Sequence, residues 1–342
     1  MCPSHPTAPR EHALRRRLVA SSIAAMVICL LGAPAPAQDA ADWPKRAVRI
    51  VSPFAAGGSS DTLGRIIAEN LSQQLHQQFY IENRGGAGGL IGSAYVANAA
   101  PDGYTFLISS IGTHVTAPAV SPNPGYDPIA SFTHVAFVGG PPTVIAVNPQ
   151  LDVHSLAELL ALLKRRSEPL PYVSPGPGTI GNLIAEYWAE KEGVKLAHVA
   201  YKGAGQAIND LVAGHVQMGS MTFTAALGQM QAGALIPLAV SSSARMPEFP
   251  MVPTLKELGY PELAVTTWFG FAAPAAVPTA ITLRMNEAVG DALAAPAVKD
   301  RLQAEGFELQ KMSPAEVTAY VRSSLERWGP LAKRLMSADA AR

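Results

Sequence analysis

Two stretches of this chain bring proline, glycine and hydroxyl residues together in the same setting. The first, Ser52-Pro53-Phe54-Ala55-Ala56-Gly57-Gly58-Ser59-Ser60-Asp61, follows a β-branched run and precedes a helical pattern. The second, Ser174-Pro175-Gly176-Pro177-Gly178-Thr179, sits in the same context. Where a strand ends and a helix begins, unpaired N–H groups and the helix dipole favour an anion, and glycine lets a ligand approach the backbone closely. Such a loop suits the capture of a carboxylate by main-chain amides and hydroxyls. One loop alone reads equally well as an ordinary strand-to-helix turn. Two of them shift the balance towards a ligand site, because sites in α/β sheets lie beyond the carboxyl ends of strands.

Other chemistries fit less well. Neither loop carries the Gly-Lys-Ser/Thr of a P-loop or the spacing of a dinucleotide fingerprint, and no Gly-x-Ser-x-Gly elbow or His-Glu-x-x-His occurs. His76, His114, His134, His154, His198 and His215 stand singly, mostly at the ends of elements, where surface placement is expected. The two cysteines are Cys2 and Cys29, so the rest of the chain has no thiol chemistry. No catalytic residue, metal site or cofactor is therefore assigned. A Ser-His-Asp site assembled from distant residues stays open, since triads are defined by geometry, and a periplasmic α/β hydrolase is kept as the alternative from another class.

The elements that must position the two loops repeat one rhythm of apolar run, glycine or proline loop, and helical pattern, the signature of a parallel sheet wound with helices. Strands are expected over 47–53, 78–82, 105–109, 135–138, 144–147, 170–174, 198–200, 216–221, 235–241 and 268–273. The first helix is expected over 61–77, capped by Ser59 or Ser60, with Leu63, Ile66, Ile67, Leu71 and Leu75 on one face. Ser155 opens another through Lys164. The strand-loop-helix unit restarts at Ser174, which points to two Rossmann-like lobes. Residues 38–142 and 267–342 form lobe 1 and residues 143–266 lobe 2. The chain then crosses twice, near 139–144 and 266–268, making a two-stranded hinge.

The amino-terminal stretch has a secretory pattern. Arg15-Arg16-Arg17 precedes an apolar run from Leu18 to Leu31 and the small-residue tract ending Ala35-Pro36-Ala37. Residues 1–37 are read as a signal peptide cleaved after Ala37. The run is short for a membrane span and ends in Pro34 and Pro36. Loss of Arg10, Arg15, Arg16, Arg17 and Glu11 turns 26 basic and 26 acidic residues into 22 and 25. That slightly acidic chain lacks the clustered Lys and Arg of a nucleic-acid footprint. A soluble, monomeric periplasmic protein is expected.

The motifs carry a resemblance along the whole mature length. Trp43-Pro44, Ile50-Val51-Ser52-Pro53-Phe54, Glu82-Asn83-Arg84, Gly86-Ala87-Gly88-Gly89, Pro101-Asp102-Gly103-Tyr104-Thr105, Tyr126-Asp127-Pro128, Tyr201-Lys202-Gly203 and Trp268-Phe269-Gly270 occur in one order. Together they resemble the Bug-type receptors of tripartite tricarboxylate transporters. The resemblance implies a two-lobed, type II periplasmic-binding-protein-like fold. It also implies that the protein is not an enzyme, that it takes a small carboxylate between the lobes, and that it delivers this to integral membrane transporter subunits. A sensor for a membrane regulator is the related alternative. The matching positions place ligand contacts at Phe54, Ala55, Ala56, Gly57, Gly58 and Asp61 in the first lobe, and at Ser174, Pro175, Gly176, Gly178 and Thr179 in the second.

Two positions depart from the family pattern. Asn182 stands where a histidine is common, and Met221 where an aspartate is common, so both are expected at the second lobe's ligand surface. With Met221 apolar, an α-ammonium group would lack an acidic partner beyond Asp61, and burying that charge is costly. Phe54, Met221, Phe223 and Trp268 are then expected to line an apolar wall. The cargo expected is an aromatic or aliphatic mono- or dicarboxylate without an amino group.

Overall fold

The computed structural model describes Met1 and residues 42–339, with side chains to Leu335. The expected leader, residues 1–37, lies outside the described residues but for Met1. Strand β1 (Val48–Ser52) leads through the first glycine loop into α1 (Ser59–Leu75), then β2 (Phe79–Asn83), α2 (Leu90–Ala97) and β3 (Thr105–Ser110). A π-helical turn over Gly112–Thr116 and the short α3 (Ala117–Val120) precede β4 (Phe132–Gly140). The chain continues as β5 (Thr143–Val147), α4 (Leu156–Arg165), β6 (Leu170–Ser174), α5 (Ile180–Glu192), β7 (Leu196–Ala200), α6 (Ala204–Val212), β8 (Met218–Thr222), α7 (Phe223–Gln231) and β9 (Ile236–Val240). It ends with β10 (Phe269–Pro274), α8 (Thr279–Ala294), α9 (Pro296–Ala304), β11 (Glu308–Leu309) and α10 (Pro314–Asp339).

These strands form two sheets, ordered β11-β4-β10-β3-β1-β2 and β7-β6-β8-β5-β9. In the first, β1 runs parallel to β2 and β3, while β10 lies antiparallel between β3 and β4. In the second, β6 runs parallel to β7 and β8, while β5 lies antiparallel between β8 and β9. Parallel neighbours need crossover helices, and α1 and α5 supply the first crossover of each sheet. Both glycine loops therefore leave the carboxyl end of a strand and enter the amino end of a helix.

The chain passes between the sheets at 141–142 and returns at 266–268. The two passages are hydrogen-bonded to each other: Thr267 N donates to Pro141 O at 2.9 Å, and Pro142 forms an antiparallel bridge with Thr266. Gly140 allows this approach, since a Cβ there would lie 1.8 Å from Thr267 O.

The first sheet packs around Ile50, Leu63, Ile67, Phe106, Phe271 and Met285. The second has Val144, Val173, Leu211, Met221 and Phe223 on one face and Ile145, Tyr172, Ile184 and Trp188 on the other. The latter cluster continues into Val317, Val321, Trp328 and Leu335 of α10, so the last helix packs on α5, which covers the second sheet, as well as on β4. No helix among the described residues is long and apolar enough to cross a membrane.

Candidate functional site

The first glycine loop is held open by a strut. Gly57 has φ 83°, a left-handed conformation that glycine adopts without cost, and its N–H donates to Asp61 Oδ2 at 3.2 Å. Asp61 also accepts from Arg65 at two positions, both 3.0 Å, and from Asn83 Nδ2 at 3.0 Å. Burial opposes its charge, but the bonds from Arg65, Gly57 and Asn83 outweigh burial and hold the carboxyl below its usual range. Asn83 also donates to Phe54 O at 3.1 Å. The cap of α1 is Gly58, with no side-chain bond, rather than Ser59 or Ser60. Those two serines are released for other partners: Ser60 Oγ shares a hydrogen bond with Ser52 Oγ at 2.8 Å, and Ser59 Oγ donates to Thr222 Oγ1 at 2.6 Å.

The second loop is held by its own polar residues. Thr179 caps α5 and donates to Gly176 O at 2.7 Å. Ser174 Oγ donates to Gly176 O at 3.1 Å and accepts from Gly176 N at 3.2 Å. Asn182 is fully buried. Its Oδ1 accepts from Gly178 N at 2.9 Å and its Nδ2 donates to Tyr172 Oη at 2.7 Å.

The loops meet across one cavity. From the first sheet it is lined by Phe54, Gly58, Ser59, Ser60, Ser110, Gly112 and Phe269, and from the second by Pro175, Thr179, Ile180, Gly181, Ala204 and Thr222. Thr267, in the returning hinge passage, completes it. The helices α1, α5 and α6 all begin at this wall, so the N–H groups of their first turns, which have no intrahelical acceptor, lie beside it. No Asp, Glu, Lys, Arg or His is among the lining residues. The cavity offers hydroxyls, amides and helix dipoles to an anion, and the rings of Phe54 and Phe269 with Ile180 to an apolar body.

Of the residues expected from sequence, Phe54, Gly58, Pro175 and Thr179 reach the cavity. Ala55, Ala56, Gly57, Gly176 and Gly178 lie in the same loops beside it without lining it, and Asp61, Ser174 and Asn182 lie behind as struts. Met221 packs in the core with Val144, Leu211 and Val240. Strand alternation explains this: Thr222 at the end of β8 reaches the cavity, so Met221 points to the other face. Phe223 and Trp268 are core residues too, and the apolar wall comes instead from Phe269 and Ile180. Sequence reasoning missed Ser110, Gly112, Gly181, Ala204, Thr222 and Thr267, and it expected Ser59 and Ser60 only as helix caps. The detectable signal was a hydroxyl residue closing a strand, as in Ser110 and Thr222.

The histidines are not uniformly at the surface. His76, His154 and His215 are exposed, His198 is half-buried, and His114 and His134 are buried. The last two face each other at 5.2 Å between ring centroids, with Phe132 4.8 Å from His114. This departs from the expected surface placement because the π-helical turn carries His114 inward onto β4. His198 Nε2 lies 2.7 Å from Ser174 Oγ, the nearest approach to a nucleophile and base. Ser174 is fully buried, is engaged with Gly176 and does not line the cavity. Among the described residues no group of three or more His, Cys, Asp or Glu is placed to hold a metal ion.

Residues 63–336 match the model of the tripartite tricarboxylate transporter family receptor. The chain is 32% identical over 308 residues to Protein BugT of Bordetella pertussis, covering 90% of this chain and 94% of that protein. Among solved structures it resembles an R. palustris protein with adipate, at TM-score 0.82 and 35% identity, covering 86% of this chain and 98% of the other. It also resembles MatC from Rhodopseudomonas palustris with bound malate, at TM-score 0.79 and 30% identity, covering 85% and 100%.

Proposed function

The chain belongs to the receptor family of the tripartite tricarboxylate transporters, and from that premise we propose that it captures a small carboxylate in the cavity between its two sheets. The carrying observation is that cavity, edged by the starts of three helices and by hydroxyls, with no charged side chain in its lining. An anionic group suits the helix starts. An ammonium group finds no acidic lining residue, and Asp61, the nearest acid considered, is held by Arg65, Asn83 and Gly57. The cargo is accordingly a mono- or dicarboxylate without an amino group, with Phe54, Phe269 and Ile180 against its carbon skeleton. The two relatives with adipate and with malate support that class.

The receptor is exported by its leader, works in the periplasm as a monomer, and hands its cargo to integral membrane subunits of a transporter. It carries out no chemistry of its own, and the engagement of Ser174 with Gly176 supports this over a hydrolase. Ligand contacts are assigned to Phe54, Gly58, Ser59, Thr179 and Thr222, with the amides of the loops.

The test is a thermal-shift screen of the mature chain against carboxylates and amino acids, followed by calorimetry on the best ligand. A ligand at 100 times its Kd adds about 2.7 kcal/mol to stability. Gly58→Val places branched carbons in the cavity wall, and binding should be lost while the fold is kept. Unchanged affinity in Gly58→Val, or tighter binding of aspartate or glutamate than of their deaminated analogues, overturns the assignment.

A further inference from the structure

On both flanks of the cavity the two lobes touch through main chain. On one flank Ala55 N donates to Lys202 O at 2.9 Å, and Gly57 lies against Gly205. A Cβ on Gly205 would fall 2.2 Å from Ala56 O, and one on Gly85 would fall 2.5 Å from Lys202 O. On the other flank a Cβ on Gly88 would fall 2.2 Å from Pro177 O, and one on Gly178 would fall 2.8 Å from Ala117 Cα. Thr116 Oγ1 donates to Gly178 O across that flank. Each blocking atom belongs to the opposite lobe and is backbone, so it cannot swing aside as a side-chain tip does.

We infer that these glycines form two closure seams, and that the absence of side chains along them lets the lobes shut on a ligand. The inference rests on the reading of the cavity as the ligand site. It assigns a role to residues that do not line that cavity, Gly205, Gly85 and Gly88 among them. Two contrasts carry it. Gly205 does not have a left-handed φ value, and the nearest atoms a Cβ there would meet are all main chain of Ala56 and Gly57 in the opposite lobe, so it is that lobe which requires glycine. Gly228, inside α7, has nothing within 4 Å of a Cβ, so glycine as such is not demanded everywhere. A methyl at Gly205 therefore acts on the closed state alone. In the open state Gly205→Ala, in the first turn of α6, removes a poor helix former, which is neutral or stabilising.

The experiment compares wild type, Gly205→Ala and Gly228→Ala in a chain beginning at Gln38. That chain contains no cysteine, so spin labels at Gln73→Cys on α1 and Gln231→Cys on α7 go only where intended. For the best carboxylate of the screen, Gly205→Ala should lose about tenfold or more in affinity, the size expected when a binding-competent state is depopulated to that degree. Its ligand-free melting temperature should not fall, and Gly228→Ala should bind as wild type does. Pulsed electron spin resonance should show the short inter-lobe distance in wild type with ligand and a longer one in Gly205→Ala. A Gly205→Ala protein that binds and closes like wild type overturns the inference. If no carboxylate binds any of the proteins, the ligand reading fails separately. The distance distributions of ligand-free wild type and Gly205→Ala then decide the seams: a short-distance population lost in Gly205→Ala upholds them, and identical distributions overturn them.

Discussion

At the scale of single residues, buried polar groups divide between holding the site and carrying charge risk. Asp61 and Asn182 are held by several bonds each and fix loop geometry. His114 and His134 are the risk. Burial first, and the positive charge of Arg322 second, push His134 from its usual 6.5 down to about 4, and burial with the neighbouring His134 pushes His114 well down also. Both rings are therefore neutral in the folded protein near neutral pH, whereas in the unfolded chain they take up protons as pH falls through about 6.5. The unfolded state then binds more protons, so stability falls as pH drops from about 6.5 towards about 4, by about 1.4 kcal/mol per pH unit for each ring. Once His134 protonates in the folded state, its contribution levels off. Urea unfolding at pH 7 and pH 5 should show this loss, and His134→Gln should shrink it. An equal pH slope in both proteins would contradict the account.

At the scale of elements, the start of α5 is brought unusually close to a strand that lies beside the one it follows. Gly181, second residue of α5, packs on the end of β8, where a Cβ would fall 2.3 Å from Ser220 O. That approach brings the first turn of α5 beside Thr222, putting both in the cavity wall. Gly181→Ala must push α5 away from β8, an overpacking that costs about 1–3 kcal/mol. The expected outcome is a lower urea midpoint together with weaker ligand binding, since the helix start itself is displaced. Retained affinity with lowered stability would mean that the amides of this helix are not ligand contacts.

At the scale of the whole molecule, α10 ties the two sheets together. It packs on β4 and the π-helical turn, and Trp328, Ala332 and Leu335 join the core that includes Trp188 and Ile184. Arg334 adds an ion pair with Glu190 of α5. The helix that ends the chain thus spans the lobes outside the hinge passages. Trp328→Ala removes one of the largest side chains from this junction and should cost about 3–5 kcal/mol in urea unfolding, as for other buried aromatic truncations. A loss below 1 kcal/mol would show that the junction contributes little.

The alternation of apolar runs with glycine loops and helical patterns was enough to give the α/β class, two strand-loop-helix openings and most strand positions, because these depend on local period and turn chemistry. It also singled out Phe54, Gly58, Pro175 and Thr179, which reach the cavity, since both loops advertise themselves by composition. Sequence placed Met221 at the site and passed over Thr222. The two are adjacent in β8, and a strand turns successive side chains to opposite faces, so only the packed sheet decides which one meets the cavity. Ser110, Ala204 and Thr267 come from three elements far apart in the chain, and no local pattern marks them as neighbours. The seams are of the same kind. Gly205 looks like an ordinary helix glycine until the lobes are brought together, because what forbids a side chain there is the backbone of the opposite lobe.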